Sequence, residues 1–168
     1  MQFKTKCMSI TLALAESFHV YYRQLARKEN WKVEYDLPFD KLSDEIRDDN
    51  VAAAMRIPEV LSMAGLQVAI GEDGPWQDKG EEAKIKAHIE HHLELLAEAK
   101  HNGWLDFKIK NGWKYGETRD SRKKIHDCLK RYAVLDENEK KKDRDAVKNY
   151  PEIVNSAGCW IIFEKKGC

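Results

Sequence analysis

The side chains best suited to chemistry in these 168 residues are indoles and cations that fall close together: Trp104, Lys108 one turn later, then Trp113, Tyr115 and Arg119, with Trp31 earlier in the chain. From Lys108 to Arg131 nine cations stand against three acids, a local charge of +6, while residues 32–59 hold four cations and eight acids, −4. Lys and Arg meet phosphate oxygens, and an indole stacks on a base. Trp31, Trp104, Lys108, Trp113, Tyr115 and Arg119 are therefore the expected contacts to a nucleotide-like or phosphorylated small molecule. A plainer account stands beside this one. Trp104 lies 11 residues after Leu93 on one helical stripe and suits a core anchor, and Trp113 and Tyr115 suit pins that hold a loop to helices. A protein partner that docks on the basic loop of residues 105–131 is the alternative function.

Other chemistries find little support. His88, His91, His92 and His101 cluster with Glu90 and Glu94, and His88 and His92 are one turn apart, but no HExxH and no third ligand at a recognisable spacing accompany them. Cys7, Cys128, Cys159 and Cys168 form no CxxC, so neither a structural zinc nor a disulfide framework is expected, and reduced thiols in a cytoplasm are. No nucleophile elbow, Walker loop or dinucleotide fingerprint occurs. The chain is expected to be no enzyme and to use no metal or cofactor. A net charge of zero, from 29 Lys plus Arg and 29 Asp plus Glu, argues against nucleic acid as the partner. The longest apolar runs, Val51 to Met55 and Cys159 to Phe163, are far too short for a bilayer. The start, Lys4 to Ala15, reads as a helix rather than a secretory signal, because its pattern continues past Glu16. Thr118 and Ser121 flank Arg119-Asp120 and would accept a phosphate that opposes the loop's charge.

The elements that would position these residues come in duplicate. Leu42 to Val68 aligns with Leu135 to Ile161 without a gap at an offset of 93, Pro58-Glu59-Val60-Leu61 meeting Pro151-Glu152-Ile153-Val154 and Ala64-Gly65 meeting Ala157-Gly158. Upstream an offset of 73 sets Trp31 against Trp104, which gives the second copy about 20 extra residues. Leu14, Phe18, Tyr21 and Leu25 in one copy, and Ile85, Ile89, Leu93 and Leu96 in the other, step by three or four and predict a long helix ending near each Trp. Helices near Ser43 to Arg56 and Glu137 to Lys148 follow. A proline then opens a new short helix in both copies, the Ala-Gly pairs end it, and short strands near 66–70 and 159–163 pair across a pseudo-dyad. Alone a helix triplet buries little, so the expectation is a single mainly α domain over 1–168: a pseudo-twofold pair of helical repeats, degenerate at 10–70, joined by a linker at 71–80 to a complete repeat at 81–163.

The second copy carries a spaced motif: His101-Asn102-Gly103-Trp104, then Gly112-Trp113-Lys114-Tyr115-Gly116 with Arg119-Asp120, then His126, Leu135, Glu137, Lys141 and Asp143-Arg144. Over roughly 65 residues this resembles the ryanodine-receptor repeat domain family. It departs at Asp127, where the family usually has a proline after the histidine. The resemblance implies a helical module of regulatory or interaction type, of the stand-alone bacterial or phage kind, and not the ion conduction of the large receptors.

Overall fold

The computed structural model describes residues 2–30, 36–70 and 79–164, with side chains from residue 10 onward. Trp31, most of the linker at 71–80 and residues 165–168 lie outside the described residues. Six helices and four short strands follow one another: α1 (Gln2–Lys28), α2 (Asp44–Ser62), β1 (Leu66–Ile70), α3 (Lys79–His91), α4 (Leu93–Lys110), β2 (Lys114–Tyr115), β3 (Ile125–His126), α5 (Glu137–Lys148), α6 (Tyr150–Ser156) and β4 (Cys159–Phe163). The fold is mainly helical, as the periodicity predicts. No described helix is long and apolar enough to cross a membrane.

The two copies meet at β1 and β4, which pair antiparallel with Val68 opposite Ile161. Those two residues are each other's repeat equivalents at the offset of 93, so the pseudo-twofold axis passes between them. The equivalence extends outward in detail. One-turn helices at Phe39–Lys41 and Tyr132–Val134 end at Leu42 (φ −70°, ψ 151°) and Leu135 (φ −72°, ψ 151°). Gly65 and Gly158, at φ 67° and 71°, turn the chain from helix into strand, a left-handed conformation that a side chain would strain.

One hydrophobic core joins both copies. Leu14 and Ala15 of α1, Ile57, Val60 and Leu61 of α2, Leu66 of β1, Ile85 and Ile89 of α3, Leu96 of α4, Tyr150, Ile153 and Val154 of α6, and Cys159 and Ile161 of β4 are all buried in it. Helix α1 packs on α2 and α6, and α4 packs on α5 and α2, so each copy's first helix touches the other copy.

Three details depart from the sequence reading. The long helix predicted in the second copy breaks at His92 (φ −104°, ψ 18°) into α3 and α4, and α4 continues six residues past Trp104 to Lys110. Helix α2 runs through Pro58 to Ser62, whereas only the second copy breaks before its proline, at Asn149 (φ −94°, ψ 3°). Burial of Ile57, Val60 and Leu61 on one face keeps α2 continuous despite the missing hydrogen bond. In the second copy the break is occupied: Asn149 Nδ2 donates to Tyr21 Oη at 3.0 Å and to Asp145 O at 2.8 Å, and the Tyr21 hydroxyl donates to the same carbonyl at 3.1 Å.

The third departure concerns the first helices. His19 Nε2 lies 2.8 Å from Leu37 O, and His101 Nε2 lies 2.8 Å from Lys130 O. Leu37 and Lys130 are equivalent at the offset of 93, so His19 and His101 are equivalents at an offset of 82. The chain agrees: Leu14-Ala15-Glu16-Ser17-Phe18-His19 matches Leu96-Ala97-Glu98-Ala99-Lys100-His101. Trp104 then corresponds to Tyr22 rather than to Trp31, and the insertion in the second copy is 11 residues rather than about 20.

Candidate functional site

Helix α4 presents His101, Trp104 and Lys108 at spacings of three and four, hence along one face. His101 is buried. Its Nδ1 lies 3.0 Å from Asp143 Oδ2 on α5, and Lys100 Nζ donates to Asp143 Oδ1 at 2.7 Å. Burial works against the Asp143 carboxylate, but the Lys100 charge and the hydrogen bonds from His101 and Lys100 outweigh it and hold the group below its ordinary pKa. Tyr132 covers the other side of the imidazole, ring centres 6.0 Å apart, and donates its hydroxyl to Glu94 Oε2 at 3.0 Å.

Trp104 is partly buried against Ala97, Cys128, Tyr132 and Leu135. Its ring centre lies 5.4 Å from that of His101 and 5.0 Å from that of His126, the second contact edge-on. His126 in turn meets Trp113 at 6.2 Å. Burial first, then the charges of Arg119 and Lys108, push the His126 imidazole down to about 4, so this ring is neutral at physiological pH.

The inserted loop folds through its own motif. Gly112 adopts φ 82° at the end of α4, and Trp113 N–H returns to Lys108 O at 3.0 Å. Strands β2 and β3 pair in parallel, Lys114 opposite Ile125. A side chain at Gly116 would place its Cβ 2.4 Å from Ile125 Cγ2, so only glycine fits there. Asp120 caps the following turn by accepting the N–H groups of Arg122 and Lys123.

Five of the six residues expected to bind a ligand have a described place. Trp104, Trp113 and Lys108 come together around His126. Lys108 is buried, with Nζ 2.5 Å from Asp49 Oδ2 and 4.3 Å from the centre of the Trp113 ring. An ammonium so enclosed joins the loop to α2, and phosphate cannot reach it without breaking that pair. Arg119 bonds Asp127 Oδ1 through Nε and Nη2, both at 3.1 Å, but the pair is about half exposed. Tyr115 is exposed and carries Lys130 Nζ 4.8 Å from its ring centre. Trp31 lies outside the described residues.

The sequence reading passed over His126, Asp49 and Asp143 as site builders. The +6 count set the loop's cations only against its own three acids, whereas Lys108 and Lys124 are paired with Asp49 and Glu45 of α2, which spacing along the chain does not reveal. Beyond Tyr115 a polar cavity of about 290 Å³ opens between the loop and α5, lined among others by Glu117, Asp127, Cys128, Lys130 and Glu139.

Almost every signature residue thus has a definite structural role. This holds for His101, for Asn102, which accepts the Tyr132 N–H at 3.3 Å, and for Gly112, Trp113, Gly116, Asp120 and Asp143. Residues 80–162, from α3 through nearly all of β4, match the family model of the RyR domain. On that match and on the motif whose contacts are described above, this half of the chain belongs to the RyR domain family.

Proposed function

We propose that the chain is a non-catalytic regulatory module that senses a nucleotide or related phosphorylated messenger on the Trp104 side of the inserted loop. The observation that carries this reading is the state of Trp104: a partly exposed indole, fixed in orientation by His101 and His126 rather than sealed in the core. A ring already held in place stacks on a base without losing further freedom. Arg119 supplies the phosphate contact, since an exposed ion pair contributes at most about 1 kcal/mol and exchanges readily. Lys108 takes a positioning role under Trp113. The two-indole slot that would have included Trp31 is not part of this proposal. The core shared by both copies supports treating residues 1–168 as one domain, and the buried free thiols of Cys128 and Cys159 support a reducing cytoplasm.

Calorimetric titration with adenine nucleotides and cyclic nucleotide messengers tests this. Saturable binding is expected, and Trp104→Ala weakens it about 5- to 150-fold, the range that stacking worth about 1–3 kcal/mol implies. Absence of heat with every nucleotide abandons the reading. A protein partner on the 105–131 loop is the second reading, supported by exposed Ile109, Tyr115 and, beside the loop, Val134. Its test is whether Tyr115→Ala with Val134→Ser abolishes a complex that Trp104→Ala preserves.

A further inference from the structure

The loop meets α5 at a group of side chains to which the ligand reading gives no contact with the ligand itself. His126, Asp127 and Cys128 offer an imidazole nitrogen, a carboxylate oxygen and a sulfur within 4.8 Å of one another. Asp127 and Cys128 line the cavity of about 290 Å³ together with Glu139 of α5, so the group faces open space. His126 Nδ1 and Asp127 Oδ1 are 3.4 Å apart. Nδ1 accepts the Cys128 N–H at 3.0 Å and so bears no proton. Each acceptor has a donor in the free chain, the Cys128 N–H on Nδ1 and Arg119 on Asp127 Oδ1, and a metal between them replaces both. Ligand atoms about 2.0–2.1 Å from a tetrahedral zinc stand roughly 3.3–3.4 Å apart, the separation seen here.

We propose that His126 Nδ1, Asp127 and Cys128 Sγ, completed by Glu139, form a zinc site that ties the inserted loop to α5. The chemistry suits the ion. Nitrogen, sulfur and carboxylate oxygen are the donors zinc takes, in sets of four. Glu139 lines the same cavity as Cys128 and exchanges its Lys142 contact for the metal as the fourth ligand. On binding, the S–H bond breaks, a Zn–S bond forms, and the proton leaves to solvent through the cavity, one for each ion bound. Asp127 exchanges its Arg119 contact, a pair about half exposed, for the metal. The departure from the family pattern falls at this point: where a proline would follow the histidine, Asp127 supplies a ligand. Three adjacent ligands lack the spacing of known zinc motifs, which is why the sequence alone did not suggest a metal.

The test uses the full chain under reducing conditions, with Co²⁺ as the spectroscopic probe and Zn²⁺ as competitor. A thiolate-to-cobalt charge-transfer band that Zn²⁺ abolishes is expected. Cys128→Ser removes the band and weakens Zn²⁺ binding at least about 100-fold, Glu139→Gln weakens it about tenfold, and Cys159→Ser changes neither. Among the described residues the His88, His91 and His92 group forms no metal-binding cluster with a cysteine, so Co²⁺ bound there by histidines alone lacks the band. No charge-transfer band with Co²⁺, or a band that persists in Cys128→Ser, overturns the proposal. Should Cys128→Ser fail to fold by circular dichroism, His126→Gln provides the same comparison: a loss of at least about tenfold in Zn²⁺ affinity supports the site, and unchanged affinity overturns it.

Discussion

His19 and His101 occupy the same place in the two copies with nearly the same geometry. Each imidazole reaches a backbone carbonyl at 2.8 Å, and each lies about 6 Å from an aromatic ring, Phe39 at 55° and Tyr132 at 54°. The surroundings differ. Asn50 stands where Asp143 does and bonds Ile46 O within its own helix, and Phe18 and Tyr22 stand where Lys100 and Trp104 do. The shared part, a helix pinned by a histidine to the one-turn helix that follows, is what the fold needs. The polar part is found only where an 11-residue insertion must also be held. In that copy His101 faces acceptors at both nitrogens, the Asp143 carboxylate and the Lys130 carbonyl, and the Asp143 carboxylate also pairs with Lys100.

This contrast predicts unequal consequences for equivalent substitutions. Asp143→Ala leaves Lys100 without its counter-charge and the buried His101 Nδ1 without its partner, and costs about 3–5 kcal/mol. Asn50→Ala removes a neutral hydrogen bond and costs about 1 kcal/mol. Urea unfolding of both variants checks this, and equal costs would mean that the two nodes play the same role. Acid titration sharpens the point. A carboxyl held low in the folded chain contributes stability above its unfolded pKa of about 4, and that contribution disappears as pH falls through the folded value. The stability gap between the wild type and Asp143→Asn therefore narrows on acidification below about pH 4.

The second effect in size lies within the insertion, which has no counterpart in the first copy. Gly116→Ala drives a Cβ to 2.4 Å from the stiff, β-branched Ile125 and costs about 1–3 kcal/mol, read by thermal unfolding. A cost near zero would show that β2 and β3 separate freely. Next come Gly65→Ala and Gly158→Ala. Both residues have a left-handed backbone and nothing within 4 Å of an added Cβ, so each change costs about 1–2 kcal/mol, and the two values should agree. A marked difference would mean that the symmetry at the strand pair is geometric but not energetic.

How much of this the chain revealed depends on which interactions were local. The 93-residue offset was plain because Pro58 and Pro151, with their Ala-Gly pairs, recur without a gap, and it located β1, β4 and the dyad. The offset of the first helices was misjudged although its signal was present. Leu-Ala-Glu followed three residues later by His occurs in both copies, but the tryptophan pair Trp31 and Trp104 points to 73. Pro58 was assigned a helix boundary by a rule of local backbone chemistry, and burial of Ile57, Val60 and Leu61 overrode it. Lys108 read as a free cation because its partner, Asp49, is 59 residues away, and only packing of α4 on α2 brings the two together.

The smallest effect on stability is expected at Arg119, and it separates family signature from structural necessity. Among the motif residues, Asp143, Gly116 and Asp120 are fixed by burial, close approach or capping, whereas Arg119 bonds Asp127 in a pair that solvent reaches on both sides. Such a pair contributes about 0–1 kcal/mol, so Arg119→Gln should leave unfolding within about 1 kcal/mol of the wild type. If the arginine belongs to the motif because it meets a phosphate, the same substitution must weaken nucleotide binding about tenfold while the fold persists. A variant that instead unfolds as readily as Gly116→Ala would place Arg119 with the structural residues, and the cationic loop would then owe its character to folding alone.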